Sequence, residues 1–583
     1  MKKIWSYICC SGVPWLIIFG IGGKYIIQQN NIQLEDKQFM TVVGVAWIFV
    51  VMKNLMFLGQ KEISLFTWLE KYKYEPPEVS WRKRKAQHPP VDPEYLSPVP
   101  DGLVLGREGK NYVRFPIRKN HALSTIIIGT PGSGKSTLLL TTLIYQLQKR
   151  PLDKPREKPE RWILGRKHKI PEADESDEAE EKQVFFILDC KPELMRKSSF
   201  PTDPDMRELS ISNRSKWGWE PYERLYDMGE DAGDDEILSE LDVIVRAFIE
   251  TPKDSKNAFF YDSARAIFKF MALAEYKKGR SFMQTVDKLM DGNMQEVITQ
   301  ILENAEGKPE LMKVRKGLNA YEGKKGEAME SIESTMRQSM EVFQKDSVKF
   351  FLDGNPRKLS PQTLEDKISV AFTIKTTQLK EYKVILRLVV MQLLHHCEDR
   401  DEDTSHLITL IIDEAFRLGV INWIDFLSVC RSKQVSCVLA FQSLSQMQSV
   451  WSKEDADSLL EMVSAIAVLS CTSENTAKMI CSWAGDYYEE KISTNVGGKN
   501  DGSYSRSFET KKILEPTDLM RLKKAKEIVL FLDGIYYRVN VERAKYYKIP
   551  ELNKISMKCV RAHNEFGKEK KENEQRSDVK QDE

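Results

Sequence analysis

No Cys-x-x-Cys pair occurs anywhere in the 583 residues. The nine cysteines are scattered. Cys9 and Cys10 are adjacent in an apolar stretch, and Cys471 and Cys481 stand ten apart. The spacing of a structural metal site is therefore missing, and free thiols in a reduced, cytoplasmic main body are expected. His395-His396-Cys397 offers metal-type ligands, but adjacent residues on a helix point in different directions. An excess of charge is missing as well: 87 Lys+Arg oppose 86 Asp+Glu, leaving +1. Bulk charge thus neither demands nor excludes a nucleic-acid partner, and any polyanion site must be local.

What is present is a phosphate loop. Gly129-Thr-Pro-Gly-Ser-Gly-Lys-Ser136 follows the apolar run Ser124–Ile128 and precedes Thr137-Leu-Leu-Leu140. This is G-x-x-x-x-G-K-[ST] in a strand–loop–helix setting. Its glycines let backbone N–H groups turn inward around phosphate oxygens, and the helix that follows adds its positive N-terminus. Gly129, Thr130, Pro131, Gly132, Ser133, Gly134, Lys135, Ser136 and Thr137 are the expected nucleotide-binding residues. Lys135 would reach the β- and γ-phosphates of ATP, and the Ser136 hydroxyl would hold Mg²⁺.

Two apolar segments, Ile4–Ile27 and Phe39–Leu58, approach the ~20 residues that a bilayer-crossing helix needs. With the polar stretch Gln28–Gln38 between them they read as a helical hairpin. Lys2, Lys3, Lys61 and Arg82-Lys-Arg-Lys85 flank it and place both ends in the cytoplasm. Gly20-Ile-Gly-Gly23 leaves open a cleaved signal peptide as the alternative for the first segment. The expectation is a multi-pass membrane protein with both termini and the main body cytoplasmic. Arg82–Lys85 reads as a contact to anionic membrane lipids or a topology signal.

The body divides by pattern. Residues 1–60 form the hairpin, 61–100 a juxtamembrane linker, and 101–236 the first part of a nucleotide-binding domain. Asp101–Gly106 and Tyr112–Phe115 suggest a small β-hairpin there. The polar segment 151–182 has no apolar periodicity and is expected to be a flexible insertion. Residues 237–352 carry helical spacing and no convincing strand, as an all-α domain. Residues 353–552 are the second part of the nucleotide-binding domain, and the Lys/Glu-rich 553–583 is expected to be disordered. Val184–Leu188, Ile368–Ile374, His406–Ile412, Val435–Phe441, Ala465–Leu469 and Glu527–Leu532 read as buried strands. Their alternation with helices predicts an α/β fold with a parallel, doubly wound sheet.

The strand Leu410-Ile-Ile412 runs into Asp413-Glu414, a Walker B arrangement. Asp413 would bind the Mg²⁺ shell and Glu414 would polarise the attacking water. Gln442 closes the next strand and could sense the γ-phosphate or position water. Arg431, after the helix Trp423–Cys430, could act as an arginine finger in a neighbouring subunit or be a surface residue. Asp189 and Lys191 take a supporting role.

In this order the motifs resemble the type IV secretion coupling proteins of the TraG/TraD type. The resemblance rests on Gly129–Ser136, Ile187–Glu193, Asp413-Glu-Ala-Phe-Arg-Leu-Gly419, Arg431-Ser-Lys-Gln-Val435 and Ala440-Phe-Gln-Ser-Leu-Ser-Gln446. Thr472–Lys478, Leu514–Met520 and the two N-terminal spans extend it over nearly the whole chain. It implies a RecA-like P-loop ATPase domain with an inserted all-α domain, assembled as a homohexamer at the bacterial inner membrane with the motor domain cytoplasmic. It implies ATP-driven movement of DNA, usually a relaxase-bound single strand, and so relaxosome proteins and inner-membrane components of a secretion channel as partners. It also gives Arg431 the place of a trans-acting arginine and Gln442 that of the motif glutamine. Cys190-Lys191-Pro192 departs from the Pro-Lys-Gly frequent in the family, and 151–182 has no counterpart. A receptor for secreted protein effectors and a double-strand DNA translocase are the alternative functions.

Overall fold

The computed structural model describes residues 90–116, 122–147, 160–163, 166–169, 183–213, 215–229, 231–251, 258–402, 406–495 and 503–581. Both apolar N-terminal segments, most of the linker behind them and the acidic patch 172–178 lie outside the described residues. The expected multi-pass inner-membrane placement is corrected: among the described residues no helix is long and apolar enough to cross a membrane. The long helices Ala258–Tyr276 and Pro550–Gln581 are interrupted by charged side chains.

Twelve strands form the main sheet. In chain order they are β1 Leu96–Ser97, β2 Leu103–Glu108, β3 Asn111–Phe115, β4 Thr125–Ile128, β5 Val184–Asp189 and β6 Met206–Leu209. Then follow β7 Ser369–Thr373, β8 Ile408–Ile412, β9 Val435–Phe441, β10 Ala465–Val468, β11 Glu527–Leu532 and β12 Ile535–Asn540. Across the sheet the order is β1-β3-β2-β12-β11-β10-β4-β9-β8-β5-β7-β6. From β10 to β6 every pairing is parallel. From β10 to β1 every pairing is antiparallel.

The expected wholly parallel sheet is thus a mixed one. Part of the cause is local: β11 and β12 are joined by Asp533-Gly534, both with positive φ (46° and 77°). That is the backbone of a two-residue hairpin turn, which can only join antiparallel strands.

Strand alternation creates two cores. Ile126, Ile128, Phe186 and Leu188 face one side; Ile127, Phe185 and Ile187 face the other. The first side is covered by helices Asp234–Phe248 and Lys383–Glu398, through Leu241, Ile244, Leu386 and Leu393. The second is covered by helix Lys135–Leu147 through Leu139 and Leu143, and by Leu552 of Pro550–Gln581. Apolar strands covered on both sides are what a central parallel sheet requires.

Between β6 and β7 the described residues from Asp234 to Gly354 form helices and their connecting turns, with no strand among them. Gly218-Trp219 and Lys358-Leu359 pair in parallel where the chain enters and leaves it. Trp219 is fully buried and donates from Nε1 to Gln392 Oε1 at 2.8 Å, while Gln392 Nε2 donates to the Pro221 carbonyl.

Two other expectations change. The segment 151–182 contains an antiparallel pair, Glu160–Ile163 with Arg166–Lys169; the charge around Trp162 and Ile163 hides it from a hydropathy reading. The tail from 553 is helical as part of Pro550–Gln581. Leu552, Ser556 and Cys559 are buried at helical spacing, and His563 Nε2 lies 3.1 Å from the Ser199 carbonyl. Anchors between Leu552 and His563 hold the start of a helix whose later composition is Lys/Glu-rich. Separately, Asp486–Asn495 and Ser503–Lys512 form a two-stranded sheet.

Candidate nucleotide-binding site

β4 lies between β10 and β9, and the phosphate loop leaves its carboxyl end. Neighbouring strands hold the exit. Gly129 N–H donates to the Phe441 carbonyl (3.0 Å), and Leu469 N–H donates to the Ile128 carbonyl (2.8 Å). Thr130 is braced by Ser470, whose Oγ accepts from Thr130 N at 3.0 Å and lies 2.7 Å from Thr130 Oγ1. Gly132 and Gly134 take φ of 72° and 103°, where a Cβ is strained. A Cβ on Gly129 would come within 2.4 Å of Ser133 Oγ. The loop is therefore closed by backbone geometry that the glycines permit.

Ser133 Oγ is buried without a partner. Lys135 opens the helix and is 6% exposed, with Nζ donating to the Gly129 carbonyl at 2.6 Å. Burial lowers its pKa; Glu414 and Asp413 oppose that. Ser136 and Thr137 are half-buried in the first turn, and Pro131 and Gly132 are exposed at the apex.

β8 delivers the two acids to the same sheet edge. Ile412 pairs with Leu439 of β9 and Leu188 of β5, while Phe441 pairs with Ile128 of β4. Asp413 N–H continues the ladder to the Leu188 carbonyl at 3.2 Å. Burial, then the adjacent Glu414 charge, pushes the Asp413 carboxyl up to about 6; Lys191 and Lys135 pull it down. Glu414 leaves the strand in the left-handed region (φ 56°), a costly conformation for a residue with a Cβ. Its carboxylate is buried and surrounded by donors. Gln442 Nε2 donates to Oε2 at 2.6 Å, Arg417 Nε lies 3.4 Å from Oε2, and Lys191 Nζ lies 4.0 Å from Oε1. Gln446 holds Gln442: its Oε1 accepts from Gln442 N–H and its Nε2 donates to Gln442 Oε1, both at 3.2 Å.

Lys135, Asp413, Glu414 and Gln442 are therefore brought together. Arg431 is not. It is exposed and precedes β9, whereas Gln442 follows it; seven residues of strand separate the two ends, roughly 20 Å. Asp189 serves its own loop, accepting from Lys191 N–H (3.2 Å) and Met195 N–H (3.1 Å). Burial raises its pKa and these N–H bonds oppose the rise.

Ser470 and Gln446 were not assigned a role from sequence. Ser443-x-x-Gln446 does carry a capping-box signal. Ser443 Oγ accepts from Gln446 N–H, but the Gln446 side chain reaches past the cap to Gln442. Nothing local marks Ser470, which meets Thr130 across 340 residues.

The His395 cluster is an ion-pair site. His395 Nε2 lies 2.9 Å from Glu240 Oε1, and Arg224 Nη2 bonds both that oxygen (2.9 Å) and Asp399. Cys397 points into the core.

Solved structures share this fold. The bacterial conjugative coupling protein TrwBdeltaN70, unbound, is 14% identical, with a TM-score of 0.54 over 75% of this chain and 88% of that one. Its form in complex with sulphate is 15% identical, TM-score 0.54, over 79% and 92%. The plasmid coupling protein TrwB in complex with ADP and Mg²⁺ is 14% identical, TM-score 0.52, over 74% and 87%. Among curated proteins, none matches the sequence. A sequence model described as type IV secretory system conjugative DNA transfer matches residues 226–573, more than half of the chain. The chain belongs to the type IV secretory system conjugative DNA transfer family.

Proposed function

We propose that this chain is a RecA-like P-loop ATPase that works as a homohexamer, receives relaxase-bound DNA from relaxosome proteins, and drives it into a type IV secretion channel. The observation that carries the reading is the convergence of Lys135, Asp413, Glu414 and Gln442 on one sheet edge. The helical stretch 237–352 is proposed as an inserted module that contacts the transported substrate.

The residues fit a magnesium triphosphate. Ser133 Oγ is a buried polar atom without a partner, and a Cβ on Gly134 would meet open space. Lys135 would exchange the Gly129 carbonyl for β- and γ-phosphate oxygens. Ser136 and Asp413 would hold Mg²⁺, which when bound neutralises charge on those phosphates. Glu414 takes a proton from the attacking water, and Gln442 sets the direction of its carboxylate. Arg431, remote from its own loop, is proposed to complete a neighbouring subunit's site.

The test is ATP hydrolysis by the full chain with and without single-stranded DNA, beside Lys135→Ala. DNA stimulation that the variant abolishes supports the proposal. Hydrolysis indifferent to DNA shifts the reading to a receptor for secreted proteins, and an inert assembled protein sinks the motor.

A further inference from the structure

β11 runs antiparallel to β10, so it begins at the edge where β10 and β4 end. Val529 pairs with Val468, and Val468 pairs with Ile128. The phosphate loop starts one residue after Ile128. Two strand spacings, about 10 Å, therefore separate it from the start of β11. Helix Pro516–Ala525 leads directly into that point. Leu519 and Leu522 are fully buried and fix the helix to the sheet. Lys523 is exposed on its other side, and its Nζ would lie 3.5 Å from a Cβ placed on Gly132.

This ammonium has no ion pair among the described residues, unlike Lys526, which lies 4.0 Å from Glu542. It stands beside a loop of glycines with positive φ that already carries the positive charge of Lys135. Two cations and a nest of N–H groups repel one another unless an anion lies between them.

We propose that Lys523 is a second phosphate-binding lysine, contributed in cis by helix Pro516–Ala525 to the terminal phosphate of bound ATP. The proposal rests on the ATPase reading above. It makes the loop two-sided, with Lys135 beneath the phosphates and Lys523 over the apex at Gly132. It also ties the segment 516–526 to the presence of the terminal phosphate.

The test is calorimetric binding of a non-hydrolysable ATP analogue and of ADP, each with Mg²⁺, to the full chain. Lys523→Ala should weaken the analogue roughly tenfold and ADP less than about twofold. Lys523→Arg should restore most of the analogue's affinity, and Lys524→Ala should bind both as wild type does. Wild-type affinity for both nucleotides in Lys523→Ala overturns the proposal. So does an equal loss for both, which would place the lysine away from the terminal phosphate. Absence of binding by the wild-type chain overturns the ATPase reading itself, a separate result.

Discussion

Gln442 Nε2 donates a 2.6 Å hydrogen bond to Glu414 Oε2, joining the ends of two adjacent strands. The bond matters because Glu414 is buried and sits in a left-handed backbone conformation, so its carboxylate has few ways to turn. Gln442→Ala should lower kcat roughly a hundredfold with KM within about threefold. Gln446→Ala, acting only through Gln442, should lower kcat by roughly tenfold, and the double variant should be no worse than Gln442→Ala alone. Steady-state ATPase kinetics decide this, and additive losses would separate the two residues.

Lys135 and Glu414 should fail in different ways. Lys135→Ala removes the cation proposed to meet the phosphates and should weaken binding of an ATP analogue by about tenfold or more. Glu414→Gln keeps the shape and the Gln442 contact; it should bind the analogue about as wild type while hydrolysis falls by roughly 10³. Calorimetry beside a hydrolysis assay distinguishes them.

Arg431 is predicted to act between subunits. Arg431→Ala and Lys135→Ala proteins should each be inactive alone. Mixed, they should regain part of the activity, because some interfaces then pair an intact loop with an intact arginine. No recovery over a range of mixing ratios would return Arg431 to an ordinary surface role.

Ser470→Ala removes the brace on Thr130 from a buried position. A loss of about 1 kcal/mol in stability is expected, with nucleotide affinity reduced about threefold. Denaturant unfolding and nucleotide titration measure the two effects. Ser470→Thr should retain most of both.

His395 should make stability depend on pH. Its hydrogen bonds to Glu240 and Glu398 raise its pKa from 6.5 to about 9; Asp399 and Arg224 also face it. A group whose folded pKa is raised stabilises fully below the unfolded value and loses that contribution as pH rises through the folded one. The window is therefore pH 6.5 to 9. The shift corresponds to at most about 3 kcal/mol, and partial exposure of the ring brings this nearer roughly 2 kcal/mol. Thermal unfolding across that window should slope downward in the wild type and flatten in His395→Gln.

Much of this protein was legible along the chain. The phosphate loop needs eight consecutive residues, and its glycines and lysine act through backbone conformation and short reach. Buried strands betray themselves by continuous apolar runs, so β4, β5, β8, β9, β10 and β11 were readable, and Asp413-Glu414 was readable as the end of one. Reading Asp533-Gly534 as a turn would also have exposed the antiparallel pair β11–β12. Other features had no local signature. Glu414 is positioned by Gln442, 28 residues away, and Thr130 by Ser470, 340 residues away. Lys523 reaches the loop only because β11 starts where β4 stops. Strand order and direction decide such meetings, and hydrogen-bond registry between strands sets them. The sequence by itself determined which chemistry the chain could perform, since that chemistry lies in residue types at short spacing. Which side chains meet at one phosphate loop was decided by tertiary structure, because proximity across a sheet is a property of pairing and not of any one segment.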